Sequence, residues 1–272
     1  MTQRIITGAL LIAALIVLLY FGGWVFSIAV CLAFSIAIFE EHRALKQRGY
    51  NPVCWVSFAA LILSVPVVML YSYVAIMPIL ALFSFCALLQ ITLRTNPNLD
   101  DVMFSVLPML SVVLPGMCII GIAASQPRSM QLFLLVLLFS LSAFGDSCAL
   151  FVGTWLGGRK LCPNISPKKT VSGAIGGLVG STLLAAVVGW IFQLSVPEIS
   201  FPPVWANLLV GFLGGAAGQV GDLFASMIKR HCNIKDFSNL LPGHGGMLDR
   251  LDSILFTALI VYCYRVILLA AF

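Results

Sequence analysis

Long apolar runs separated by short polar loops cover most of the chain. Such runs predict membrane-spanning helices when they approach the ~20 residues that cross the hydrocarbon core of a bilayer. Nine of them lie near residues 5–21, 23–39, 53–70, 73–92, 104–124, 131–153, 173–193, 204–228 and 252–270. The pattern therefore predicts an all-α fold, a polytopic membrane helical bundle of about nine transmembrane helices.

Composition agrees with this prediction, and the placement of charge adds an orientation. The 272 residues are 61% hydrophobic and 9% charged, whereas about 25% of the residues in a typical soluble domain are charged. With nine spans, thirteen of the 15 Lys and Arg residues fall on the side of the N-terminus, and only Arg128 and Arg265 fall opposite. Because short cytoplasmic loops retain basic residues, we expect a cytoplasmic N-terminus.

The two halves of the chain differ in the polar groups that they carry. Residues 1–125 have few polar groups within their spans, and we interpret them as a transmembrane scaffold. Glu40 and Glu41, at the end of the second span, are interpreted as a solvated helix end. Residues 126–272 hold an intramembrane acid and long polar loops, so we expect a transmembrane catalytic region with cytoplasmic loops there.

A polar segment joins the eighth and ninth spans. It concentrates charge in a chain of 15 basic and 10 acidic residues, with Asp222, Lys229, Arg230, Lys235, Asp236, Asp249, Arg250 and Asp252. The spacing of Asp222, Ser226 and Lys229 places them on one helix face. This arrangement suggests a polar cavity, although an ion pair that only fixes helix packing explains the same spacing.

Two further acids lie at the start of the ninth helix. Asp249 and Asp252 lie one helical turn apart, where the helix dipole favours carboxylates. The short return loop predicts that the eighth and ninth helices are neighbours, so that Asp222 and these two acids converge. Clustered carboxylates favour a hard cation such as Mg²⁺, which also bridges to substrate phosphates.

The loop between these acids contains a Gly-rich turn, residues 242–246, centred on His244. Backbone N–H groups exposed in such turns bind anions. A zinc site is the alternative, but His231, Cys232 and His244 fit no standard zinc spacing.

Two more features lie upstream of this loop. Residues 166–170 bring two lysines and two hydroxyls to the start of a helix, which suits either a phosphate site or a juxtamembrane basic loop. Asp146 lies late in a span, where an unpaired acid would be costly, and this again favours a cavity.

Together these residues resemble the phosphatidate cytidylyltransferase (CDP-diacylglycerol synthase) family. Its signature, Ser-x-x-Lys-Arg, Lys-Asp and His-Gly-Gly-x-x-Asp-Arg-x-Asp, is matched by Ser226, Lys229, Arg230, Lys235, Asp236, His244, Gly245, Gly246, Asp249, Arg250 and Asp252. Its upstream pattern is matched by Asp146, Ala149, Ser166, Pro167, Lys168, Lys169, Thr170 and Gly173. Leu150 and Ser172 depart from the Tyr and Glu usual in the family.

The resemblance implies a membrane nucleotidyltransferase that condenses CTP with phosphatidate into CDP-diacylglycerol and pyrophosphate. It implies catalysis at the cytoplasmic face of a bacterial inner membrane, with membrane lipid and not nucleic acid as a partner, and leaves a homodimer open. The implied cofactor is Mg²⁺, bound by Asp222 and Asp249, and a second metal ion is left open. The implied catalytic residues are Ser226, Lys229, Arg230, His244 and Asp252. The implied substrate-binding residues are Asp146, Ser166, Lys168, Lys169, Thr170, Lys235 and Arg250.

Other functions use similar residues. An ion-coupled transporter would line a pathway with intramembrane acids, but it predicts repeated halves with broken helices, and here the intramembrane acids lie in the C-terminal half. A CDP-lipid phosphotransferase would need an Asp-Gly pair, which this chain lacks. A related enzyme that activates another lipid phosphate with CTP is the remaining alternative.

Overall fold

The computed structural model describes residues 2–71, 73–197 and 201–271, with the side chains of residues 2–5 and 268–271 outside the description. The helices are α1 (Thr2–Phe21), α2 (Gly23–Gln47), α3 (Trp55–Leu70), α4 (Ile76–Thr92), α5 (Leu99–Pro108), α6 (Leu114–Ala123), α7 (Arg128–Leu156), α8 (Val171–Ser195), α9 (Val204–His231) and α10 (Leu248–Ala271). The strands are β1 (Lys160–Cys162) and β2 (Ser166–Thr170). The predicted all-α class is confirmed, since the short strands add only one hairpin.

Six helical segments within the described ranges are long and apolar enough to cross a membrane, and the chain is an integral membrane protein. They are Gly23–Gln47, Tyr73–Thr92, Leu99–Ala123, Arg128–Leu156, Val171–Ser195 and Val204–His231. Shorter apolar helices cover Ile6–Phe21 and Trp55–Leu70. Every predicted segment overlaps a helix, and the count of nine membrane spans stays a prediction.

Side-chain caps and prolines explain where several helices begin or deform. The Asn98 side chain accepts a hydrogen bond from the Asp100 amide (3.0 Å) at the start of α5, as N-cap residues do. A π-helical turn, Met109–Val113, joins α5 to α6. Because proline has no backbone N–H, Pro108 and Pro115 interrupt the regular hydrogen-bond ladder on either side of this turn.

The chain forms two compact units. Unit 1 contains the residues up to Ala124 together with Ile228–Leu251. Its apolar core includes contacts of α2 and α3 with α6, where a Cβ added at Gly116 would lie 2.6 Å from the Phe34 ring. Residues 228–251, which the sequence places in the C-terminal region, therefore cluster with the N-terminal helices.

Unit 2 contains Ser125–Met227 and the residues from Asp252 onward. Close backbone contacts at small residues hold its helices together, as in many membrane proteins. A Cβ at Gly173 of α8 would lie 2.6 Å from the Ala149 carbonyl oxygen of α7, and one at Gly221 of α9 would lie 2.4 Å from the Asp252 carbonyl oxygen of α10. The predicted contact between the helices that flank the polar loop is thus confirmed.

Candidate functional site

A buried ion pair joins the end of α9 to the start of α10 in unit 1. The Lys229 ammonium lies 2.7 Å from Asp249 Oδ1, and the side chains are 11% and 3% exposed. Lys229 also lies over the Phe237 ring, 5.5 Å from its centroid. Breaking such a pair leaves an uncompensated buried charge, so each partner needs the other.

The second oxygen of Asp249 organises the loop between the two helices. Asp249 Oδ2 accepts hydrogen bonds from the amides of Phe237 (2.9 Å) and Gly246 (2.9 Å). With the Lys229 bond, this carboxylate has three protein donors, which compensate its removal from solvent. Asp249 therefore fixes both ends of the segment 237–246.

Glu40 of α2 contacts the same segment, contrary to the interpretation of a solvated helix end. Its residue exposure is 3%, and its carboxylate accepts hydrogen bonds from Ser238 Oγ (2.5 Å) and from the amides of Met247 (3.0 Å) and Leu248 (2.8 Å). Glu41 is buried as well and accepts a hydrogen bond from Ser111 Oγ (3.1 Å). Both glutamates are enclosed because other parts of unit 1 cover the end of α2.

The Gly-rich turn lies against α1. Leu241 and Gly245 form an isolated antiparallel bridge, and Gly243 and Gly245 have φ of 77° and 82°, which favour glycine. A Cβ added at Gly8 would lie 3.8 Å from His244 Nε2. The other ring nitrogen, Nδ1, is buried and has no hydrogen-bond partner among the residues that the structure describes.

A second ion pair lies in unit 2 and is more exposed. The Lys169 ammonium of β2 lies 2.5 Å from Asp222 Oδ2 of α9, and the two side chains are 25% and 28% exposed. Asp222 and Lys229 were predicted to share one face of α9, and each forms an ion pair with another element. Unit 1 thus contains the Lys229–Asp249 pair, and unit 2 contains the Lys169–Asp222 pair.

The predicted basic loop is a β-hairpin that leads into α8. Strand β2 pairs antiparallel with β1, and Thr170 Oγ1 caps α8 by accepting a hydrogen bond from the Gly173 amide (3.1 Å). Ser172 Oγ donates a hydrogen bond to the Gly157 carbonyl and lies 3.1 Å from Thr170 Oγ1. Ser172 therefore helps to close the hairpin onto the helix.

The side chains along β2 differ in exposure. Lys168 is exposed, whereas Ser166 and Lys169 are half-buried. An open cleft of about 400 Å³ lies beside the hairpin and is lined by Arg159, Lys160, Leu161, Pro163 and Val171. The hairpin thus presents basic groups of both strands.

Asp146 belongs to a hydroxyl network within unit 2. Its Oδ2 accepts a hydrogen bond from Ser253 Oγ (2.9 Å), which also bonds to Ser142 Oγ (2.7 Å). Asp252 Oδ1 accepts a hydrogen bond from the Ser253 amide (2.9 Å). Ser253 therefore connects α7 to the first turn of α10.

The remaining predicted residues lie on helix ends and in the loop. Arg230, Lys235 and Arg250 are exposed, and Ser226 is half-buried on α9. Leu150, where the family usually has Tyr, is 64% exposed on α7. The exposed cations are accessible to anions.

Sequence reasoning interpreted Glu40 as part of a solvated helix end and assigned no role to Ser238 or Ser253. An acid near the end of an apolar span is itself a signal of function or pairing, and Glu40 could have been singled out on that ground. The two serines carry no such signal, because their roles depend on partners more than 100 residues away in the chain.

The two predicted metal ligands, Asp222 and Asp249, differ in their surroundings. In the part of the chain that the structure describes, no three His, Cys, Asp or Glu side chains group together as a metal site. Asp249 has three protein donors, whereas Asp222 is partly exposed. Of the two predicted ligands, Asp222 is thus the one open to an additional cation.

Comparison with known proteins covers nearly the entire chain. The phosphatidate cytidylyltransferase of Synechocystis sp. is 33% identical over 295 aligned positions, which cover 98% of this chain and 97% of that protein. The phosphatidate cytidylyltransferase of Bacillus subtilis is 35% identical over 273 positions, with 96% of each chain covered. Residues 2–268 match the model of the cytidylyltransferase family, and the chain belongs to this family.

Proposed function

We propose that the protein condenses CTP with phosphatidate to form CDP-diacylglycerol and pyrophosphate. The observation that carries the proposal is the similarity, over nearly the full length of both chains, to two proteins named phosphatidate cytidylyltransferase. The membrane-spanning helices suit a lipid substrate. An ion-coupled transporter is not favoured, because both of these relatives are named as enzymes.

The proposed reaction needs little acid-base chemistry. A phosphate oxygen of phosphatidate attacks the α-phosphorus of CTP and forms a new P–O bond. The bond between the α-phosphorus and the oxygen that bridges the α- and β-phosphates breaks. The electron pair leaves with pyrophosphate. Because both substrates are polyanions, the protein's main tasks are to position them and to offset their charge.

The basic residues of the hairpin and of the α9–α10 loop are suited to these tasks. Lys168 is exposed on β2, and Lys169 is half-buried beside Asp222. Arg230, Lys235 and Arg250 are exposed. We assign to these cations, together with Ser166 and Thr170, the binding of phosphates, and to Ser226 and His244 the orientation of substrate.

Magnesium is part of this proposal. When bound, Mg²⁺ offsets negative charge on the triphosphate and favours departure of pyrophosphate. Mg²⁺ typically uses one or two carboxylates together with substrate phosphates, which suits a partly exposed Asp222. Asp249 would have to release a protein donor to serve as the second ligand. Asp252 is proposed as a catalytic residue and Asp146 as a substrate-binding residue.

Location and assembly are also proposed. The distribution of basic residues supports a cytoplasmic N-terminus and a site facing the cytoplasm of a bacterial inner membrane. Impermeant labelling of single cysteines on each side of sealed vesicles would test this orientation. A homodimer stays a prediction, which the mass of the detergent-solubilised protein would test.

The activity is tested with purified protein in mixed micelles containing phosphatidate, CTP and Mg²⁺. We expect CDP-diacylglycerol and pyrophosphate in equal amounts, and loss of both when the metal is chelated. An isoprenoid phosphate offered in place of phosphatidate tests the alternative of another lipid phosphate. Conversion of that lipid alone would overturn the proposed substrate, and activity that survives chelation would overturn the role of Mg²⁺.

A further inference from the structure

We propose that Glu40 is a positioning residue, whose buried carboxylate holds the segment Ser238–Leu248 in the arrangement that the reaction requires. The inference rests on the proposed function for its kinetic test but not for its structural one. It assigns a role to the N-terminal half of the chain, which the sequence alone presents as scaffold. All the residues involved belong to unit 1.

The contacts of Glu40 span the segment from its beginning to its end. Oε1 accepts hydrogen bonds from Ser238 Oγ (2.5 Å) and the Met247 amide (3.0 Å), and Oε2 accepts one from the Leu248 amide (2.8 Å). A carboxylate with a residue exposure of 3% needs such donors to offset its lost hydration. The same bonds tie the intervening loop residues, 239–246, to α2.

The two backbone amides that donate hydrogen bonds to Glu40 lie at the start of α10. The first amides of a helix have no acceptor within it, and negative charge is favoured there by the helix dipole. The turn that follows carries Asp249, Arg250 and Asp252. Glu40 thus determines where this turn begins, although it lies 208 residues away from Leu248 in the chain.

Gly246 provides independent support. A Cβ added at this residue would lie 2.6 Å from Glu40 Oε2 and 2.7 Å from Oε1. Gly243 and Gly245 have positive φ, but Gly246 is not among the residues with such a backbone. Glycine at 246 is therefore explained by the Glu40 carboxylate and not by backbone conformation.

Glu41 offers a matched control on the same helix. It is also buried, but it accepts a hydrogen bond from Ser111 Oγ, within the π-helical turn, instead of holding the loop. Glu→Gln keeps the size of either side chain. In Glu40→Gln, the side-chain NH₂ group would face the backbone or hydroxyl groups that donate to the wild-type carboxylate, so two donors would meet. In Glu41→Gln, the remaining side-chain oxygen can still accept the hydrogen bond from Ser111.

The kinetic test compares Glu40→Gln with Glu41→Gln in the phosphatidate assay. We expect Glu40→Gln to lower the Tm, because buried donors lose their acceptor, and to lower kcat per folded molecule about tenfold to a hundredfold, a change of about 1.4–2.8 kcal/mol in the activation free energy, with an unchanged KM for CTP. Glu41→Gln should retain kcat. A lower Tm with normal kcat per folded molecule would overturn the proposal, because Glu40 would then only stabilise the fold.

A double-mutant cycle tests the link to Gly246. In the wild-type background, Gly246→Ala should lower kcat about tenfold. In the Glu40→Ala background, where the carboxylate that the new methyl group would meet is gone, Gly246→Ala should change kcat less than about twofold, since contacting residues show non-additive effects. Equal losses in both backgrounds would contradict the contact.

Hydrogen exchange separates this inference from the proposed function. We expect the amides of Met247 and Leu248 to exchange faster in Glu40→Gln than in the wild type or Glu41→Gln. If the wild type makes no CDP-diacylglycerol, the proposed function fails while this measurement still decides the role of Glu40. Equal exchange in all three proteins would overturn the positioning role.

Discussion

The two segments that carry the family's motifs are held in different ways. In unit 1, the loop between α9 and α10 is fixed by two buried carboxylates, Glu40 and Asp249, which accept hydrogen bonds from backbone and side-chain donors. In unit 2, the hairpin leads into a helix packed through glycines, and its ion pair Lys169–Asp222 is partly exposed. Buried charge thus shapes the first segment, and close backbone packing shapes the second.

This difference separates charges that build the site from charges that remain open to ligands. A carboxylate with all its donors inside the protein stabilises one loop conformation and has little capacity left for substrate or metal. A half-exposed pair costs less to open, because solvent and incoming ligands can replace its partners. The comparison therefore predicts unequal effects for equivalent substitutions in the two ion pairs.

The largest effect on stability is expected from Lys229→Met. The substitution leaves Asp249 charged and buried, so we expect the free energy of unfolding to fall by about 3–5 kcal/mol, with loss of activity. Denaturant unfolding in mixed micelles measures the change. Arg230→Met, at the exposed neighbouring position, is the control and should stay within about 0.5 kcal/mol of the wild type. A similar, small loss in both variants would show that the Asp249 network is not essential to the fold.

A smaller effect is expected from Gly173→Ala, which tests the packing of the second segment. The added methyl group would meet the Ala149 carbonyl oxygen, a backbone atom that cannot turn away. We expect a loss of about 1–3 kcal/mol, typical of overpacking. Gly214→Ala is the matched control, because its Cβ would meet the Leu141 side chain at 3.2 Å, which can adjust. Equal stability of the two variants would argue against close α7–α8 packing as the device that holds the hairpin.

The smallest effect on stability is expected from Lys169→Met. Its pair with Asp222 is partly exposed, and such pairs contribute about 0–1 kcal/mol. We nevertheless expect a higher KM for CTP, since the lysine is assigned to phosphate binding. Unfolding and steady-state kinetics on the same preparation measure both quantities. A loss of stability as large as that of Lys229→Met, or an unchanged KM for CTP, would contradict the view that the Lys229–Asp249 pair is structural and the Lys169–Asp222 pair is open to ligands.

The sequence predicted the helical membrane fold because apolar runs long enough to span a bilayer leave few other structures. It also predicted the contact of α9 with α10, since a short loop constrains its flanking helices. The hairpin at 160–170 was missed because the sequence pattern of a basic loop resembles that of a short exposed strand. The position of Glu40 at the end of an apolar span signals that it has a function or a partner, but its partners lie about two hundred positions away, and no local pattern identifies them.

The assigned reaction is tested most directly by following the α-phosphorus of CTP. The purified protein is incubated with phosphatidate, Mg²⁺ and CTP labelled at the α-phosphate, and the label is followed into the lipid extract. The account predicts labelled CDP-diacylglycerol together with one unlabelled pyrophosphate for each labelled lipid. Label that remains in water-soluble nucleotide, with no phosphatidate-dependent transfer, would contradict it.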